Sequence, residues 1–328
     1  MTPQLRSSLM TWLCTAVCLA AMTTKLAAVE DFPNRTIKIV VPVPPGPLLD
    51  VVPRIIAEKL ASKWRSIAVI IENRPGAAQN LGAEVVAKSD PDGYTLLASP
   101  PGPLVVSQHL RSKLNFDPGA FVPVSLMVKL PTALVVNPKV PASNLQEFLA
   151  YARANPGKLT FGSPGAGSTP HLATEQLMKA AGIRFVHVPY QGMAPAMNDL
   201  IGGHIDVMID LYGNVSPNIK DGKLKLLAVT TQTRLPEEPN VPTISEAVPG
   251  FVHGEWFAMV APPKTPADIA SKLSAAIAEA LKLPDVAKRM ADFSAVPVGA
   301  TPDDTAAFIK IENARWRELI DTTGLKIN

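Results

Sequence analysis

Three short loops rich in glycine and proline each separate a β-branched run from a segment of helical spacing, and this alternation confines the chain to an α/β architecture. They are Pro44-Pro45-Gly46-Pro47, Pro75-Gly76-Ala77-Ala78 and Gly162-Ser163-Pro164-Gly165-Ala166-Gly167-Ser168-Thr169. Each falls at the start of a helix, where unpaired N–H groups and the helix dipole favour an anion. The third loop comes close to the phosphate-gripping pattern G-x-x-x-x-G-K-[ST], but Ser168 stands where the lysine belongs. Its backbone suits an anion, without the cation that a nucleoside triphosphate requires.

Strand runs are read at 37–41, 67–72 and 94–98, with helices over 51–60, capped by Asp50, and over 81–88. Strand runs at 122–128 and 133–136 pass Pro131 with no helix between them, as suits a chain crossing from one lobe to another. Ser143 with Gln146 spells a capping box for a helix ending at 154. After the third loop, Thr169 and Pro170 read as N-cap and N1 of a helix closed by Gly182. Strands at 185–188, 205–209 and 224–229 complete a second lobe, and 251–260 is a return strand. Helices over 267–281, 285–293 and 305–320 then cover the first lobe. The expected domains are 29–131 with 255–328 as lobe 1, and 132–254 as lobe 2, each a mostly parallel sheet flanked by helices.

Residues 1–28 carry Arg6 and Lys25, no acid, and an apolar stretch over 9–22 that ends near Leu26-Ala27-Ala28. This is the pattern of a cleaved secretory signal peptide; the apolar run is too short for a comfortable membrane span. Both cysteines, Cys14 and Cys18, lie inside it, so the mature chain has no disulfide, no Cys-ligated metal and no cysteine nucleophile. The whole chain carries +3, and loss of Arg6 and Lys25 brings it to +1. That balance is far from the basic excess of a nucleic-acid binder. Thirty-three prolines stiffen the loops between periodic segments.

Particular runs carry a family resemblance. Phe32-Pro33-Asn34-Arg35, Glu72-Asn73-Arg74-Pro75-Gly76-Ala77, Pro91-Asp92-Gly93-Tyr94-Thr95-Leu96-Leu97, Val188-Pro189-Tyr190-Gln191-Gly192 and Asp199-Leu200-Ile201-Gly202-Gly203 occur in the order and spacing of the Bug (TctC) family. The chain thus resembles the periplasmic solute-binding components of tripartite tricarboxylate transporters along nearly all of its mature length. The resemblance implies a two-lobed periplasmic binding protein of type II, closing around a small carboxylate held by loop amides, hydroxyls and water. It implies no cofactor, a monomer, and membrane permease subunits as partners.

Carried over residue by residue, the resemblance places Pro45, Gly46 and Pro47 at one wall of the cleft and Ser99 across from Gly165, Gly167, Ser168, Thr169 and His171, with Asp210 facing in. Ser168, Thr169 and the Gly167 amide are the foremost expected carboxylate ligands. The chain departs from the family where Gly46-Pro47 and Ala78-Gln79 replace Gly-Gly pairs, and where Pro100-Pro101-Gly102-Pro103 follows Ser99. Proline at 47 has no N–H to donate.

Blander readings stand beside these. Ser168 and Thr169 are also common helix caps, Gly46 and Gly76 also serve as turn residues, and Asp210 also reads as a half-buried loop acid. His171 and Glu175 lie four apart without a third ligand, so no metal is expected. A hydrolase is disfavoured because Phe161 occupies the first glycine position of the G-x-S-x-G elbow in Phe161-Gly162-Ser163-Pro164-Gly165. A ligand-sensing subunit for a signalling receptor is the alternative non-enzymatic role, since one fold serves both.

Overall fold

The computed structural model describes residues 32–46 and 48–323. The expected signal peptide, with Cys14 and Cys18, and the residue Pro47 lie outside the described residues. No described helix is long and apolar enough to cross a membrane.

The first sheet starts with β1 (Ile37–Val41), β2 (Val69–Asn73) and β3 (Thr95–Ser99), all parallel, with Ile39 opposite Ile71 and Leu96. It gains β4 (Val122–Leu130) early and β10 (Glu255–Ala261) and β11 (Val296–Pro297) late, giving the order β11-β4-β10-β3-β1-β2. The second sheet comprises β5 (Thr132–Val136), β6 (Thr160–Ser163), β7 (Val186–Pro189), β8 (Val207–Leu211) and β9 (Lys225–Val229), in the order β7-β6-β8-β5-β9. In each sheet the strands next to the crossing run antiparallel to their neighbours, so both are mixed where mostly parallel sheets were expected. The cause is that β5 follows β4 across a single residue, with no helix to return the chain.

Both faces of both sheets are covered, which explains the near-continuous apolar strands. In β1, Ile37, Ile39 and Val41 enter one core with Ile55, Leu273 and Ile277, while Val40 faces the opposite core with Leu97, Trp256 and Trp316. In β5, Leu134 and Val136 pack with Phe148 and Phe161, and Ala133 and Val135 with Met208 and Val215. The helices Ala267–Leu281, Pro284–Ala291 and Pro302–Thr323 pack on the first sheet. Truncating a fully buried anchor such as Phe148 to alanine costs about 3–5 kcal/mol.

Helix starts differ from the sequence reading in three places. The first helix begins at Leu48, so Asp50 lies within its first turn and reaches back to accept the Gly46 N–H at 3.0 Å. Asn144, not Ser143, is the cap of Leu145–Ala154: its Oδ1 accepts the Glu147 N–H, and Glu147 Oε2 accepts the Ser143 N–H. Ser168, not Thr169, is the N-cap of Thr169–Ala181. The run after Ser99, to which the sequence reading assigns no element, winds into helical turns over Gly102–Val106 and Ser107–Leu110, because proline is tolerated in a first helical turn.

Two segments cross between the sheets. One is Pro131 between β4 and β5; the other leads from β9 to β10. They are tied together: the Thr132 and Thr230 hydroxyls are hydrogen-bonded, Thr230 Oγ1 lies 2.9 Å from the His253 carbonyl, and the His253 N–H donates to the Thr230 carbonyl at 2.8 Å.

Candidate ligand site between the lobes

A cavity of about 140 Å³ lies where the loops of both sheets meet at the crossing. Lobe 1 contributes Pro42, Val43, Pro44, Leu49, the turn 75–79 and Pro100; lobe 2 contributes Ser168, Thr169, Gln191, Gly192, Asp210 and Asn214. Thr132 and Glu255 close it from the crossing strands. Five helices begin at its wall, through Leu49, Gln79, Thr169, Met193 and Leu211, so several positive dipole ends converge. A larger, open groove of about 1410 Å³ lies beyond the crossing, among Lys129, Arg234, Glu238 and Arg315, and meets none of the three loops.

In the first loop Pro45 and Gly46 are exposed and Pro44 supplies the wall. The Gly46 N–H is engaged by Asp50. Asp50 also accepts from Arg54 Nε at 2.8 Å and Arg54 Nη2 at 3.0 Å, and from Asn73 Nδ2 at 2.8 Å. Burial pushes its carboxyl up, but these donors outweigh that and hold it below its ordinary value.

The second loop is strained. Ala77, Ala78 and Gln79 follow one another at φ 50°, 51° and 76°, a left-handed run in which a side chain costs about 1–2 kcal/mol per residue. This is where the family resemblance expects glycine at 78 and 79.

In the third loop Ser168 and Thr169 line the cavity, while Gly165 and Gly167 lie behind it. Ser168 Oγ donates to the Gly165 carbonyl at 2.7 Å and makes no side-chain cap bond. The Gly167 N–H donates to His171 Nδ1 at 3.2 Å, away from the cavity. His171 is buried and stacks on His187 at 4.1 Å, and His187 on Phe161 at 4.7 Å. Burial, with His187 adding to it, lowers His171 to about 4, so a neutral imidazole holds this loop. His187 Nε2 meets Ser163 Oγ at 2.6 Å, but Ser163 is fully buried and presents no nucleophile. Ser99 is also fully buried, its hydroxyl donating to the Pro100 carbonyl at 2.9 Å.

Asp210 lines the cavity from the end of β8 and is 3% exposed. It accepts the Leu211 N–H at 2.7 Å and lies 3.2 Å from Asn214 Nδ2. Burial pushes its carboxyl up to about 7; those two donors oppose the rise and the neighbouring Glu255 charge adds to it. Asn214 Oδ1 in turn accepts the Leu48 N–H of the other lobe at 3.4 Å. Sequence reasoning missed Glu255, Asn214 and Gln191. Gln191 stood inside the Val188-Pro189-Tyr190-Gln191-Gly192 run, and Glu255 was legible only as one acid heading an apolar strand. Among the described residues, no group of His, Cys, Asp and Glu is arranged to hold a metal ion.

Two α/β lobes on mixed sheets, joined by crossing strands and enclosing a cavity ringed by helix N-termini, define a periplasmic binding protein. The model of the tripartite tricarboxylate transporter family receptor, TctC, matches residues 52–325. The Protein BugT of Bordetella pertussis is 37% identical over 301 residues, covering 91% of this chain and 92% of its own. The solved structure of Rpa4515 of R. palustris with adipate has a TM-score of 0.86 at 33% identity, covering 90% of this chain and 99% of its own. MatC of Rhodopseudomonas palustris with bound malate gives 0.82 at 34%, covering 88% and 100%. This chain belongs to the TctC family, whose members are binding proteins and not enzymes.

Proposed function

We propose that the mature chain captures one small organic carboxylate between its lobes and delivers it to the membrane subunits of a tripartite tricarboxylate-type transporter. The convergence of five helix N-termini on one cavity carries this reading, because an anion there is stabilised by dipoles without a basic side chain. The adipate and malate bound by the similar proteins are consistent with it. On this reading residues 1–28 are removed on export, 29–131 with 255–328 form one domain and 132–254 the other, and the protein works as a monomer in the periplasm. Ser168 and Thr169 contact the ligand; His171 and Gly167 shape the loop behind them.

Native mass spectrometry of the protein isolated gently from a periplasmic fraction tests the proposal. The expected result is a chain beginning near residue 29 with a bound organic acid. An empty chain that also gains no thermal stability from C3 to C6 carboxylates or amino acids overturns it.

A further inference from the structure

The cavity has a second, opposite chemistry. Glu255 lines it, is 5% exposed, and neither carboxylate oxygen has a hydrogen-bond partner among the described residues. Its nearest charged or titratable neighbours are Asp210, which raises the local negative potential, and His253, whose Nε2 lies 3.8 Å from Glu255 Oε1, beyond hydrogen-bond reach. Register explains the placement. Glu255 sits opposite Leu130 and Asp210 opposite Ala133, on either side of Pro131, so both acids face the crossing from different sheets. Among the described residues, no Lys, Arg or His lines this cavity. A ligand bearing only carboxylates would meet two buried acids with no basic side chain in the lining to offset them; His253, 3.8 Å from Glu255, lines the open groove instead, which Glu255 also borders.

Resting on the carboxylate-binding reading above, we propose that the ligand of this chain is zwitterionic: its carboxylate faces the helix N-termini and an ammonium group is received by Glu255 and Asp210. An ammonium supplies three donors, enough to satisfy the unpartnered Glu255 oxygens and still reach Asp210. Glu255 is then the residue that selects amino acids over plain acids.

Calorimetric titration of the mature protein with matched pairs tests this: propionate and alanine, succinate and aspartate, glutarate and glutamate, adipate and 2-aminoadipate. The amino member of the best-bound pair is expected to bind at least tenfold more tightly. Glu255→Gln, with its melting curve checked, is expected to erase that preference, and Asp210→Asn to reduce it. A plain acid binding as tightly as its amino partner overturns the inference and leaves the carboxylate reading standing. So does a preference that survives Glu255→Gln. Failure of every acid, plain or amino, removes both.

Discussion

Each lobe buries one aspartate beside the cleft, and the two are treated in opposite ways. Asp50 is 2% exposed and surrounded by Arg54, Asn73 and the Gly46 amide; Asp210, 3% exposed, has one backbone amide and the Asn214 carboxamide, no cation among the described residues, and a second acid nearby. The first carboxylate is satisfied by the protein and is part of its architecture. The second has fewer donors and lines the cavity, which is what the proposed ligand contact requires. Burial alone therefore does not separate structural from functional acids; the inventory of donors does.

Substitutions at the two sites are expected to move stability in opposite directions. Asp50→Ala removes the acceptor of four donors and should cost about 3 kcal/mol in urea unfolding at pH 7. Its contribution is present above about pH 4 and fades as pH falls below, because its folded value is lowered. Asp210→Asn should stabilise the ligand-free protein at pH 8, by an amount on the order of 4 kcal/mol, from the distance between about 7 and the ordinary 3.8. Here the folded value is raised, so the wild type loses stability as pH climbs from about 4 through 7, and the two proteins should melt together at pH 4. Destabilisation by both substitutions at pH 8 breaks the contrast.

Smaller effects sharpen the same contrast at the loops. Replacing Ser168 and Thr169 together by alanine should weaken ligand binding tenfold or more, about 1.4 kcal/mol, in calorimetry. Unchanged affinity with an intact fold would exclude them from the site. Ala78→Gly or Gln79→Gly should raise the unfolding midpoint by the equivalent of about 1 kcal/mol each, by relieving left-handed strain. A lower midpoint would show that the side chains hold the turn.

The alternation of strands, loops and helices was legible because the central strands are apolar on both faces and several helices start beside a Gly- or Pro-rich turn. Cap positions slipped by one or two residues, as at Asn144 and Ser168, because neighbouring Ser, Thr, Asn and Asp compete equally well in sequence. The amide-rich loops were visible, but not that Asp50 and His171 already engage the Gly46 and Gly167 N–H groups. Nor could sequence separation announce that Glu255 and Asp210 share a cavity, since two antiparallel registers on either side of Pro131 bring them there.

That one-residue passage between the sheets has a mechanical corollary. A proline ring fixes φ, so rotation of one lobe against the other at this point is left to the ψ angles of Leu130 and Pro131. The second passage is tied to the first through Thr132, Thr230 and His253, so the two are coupled. What remains is a short, stiff passage between the two sheets. Glu255 and Asp210 flank that passage, one on each sheet, so a group held between them would bridge the two sheets at their shortest connection.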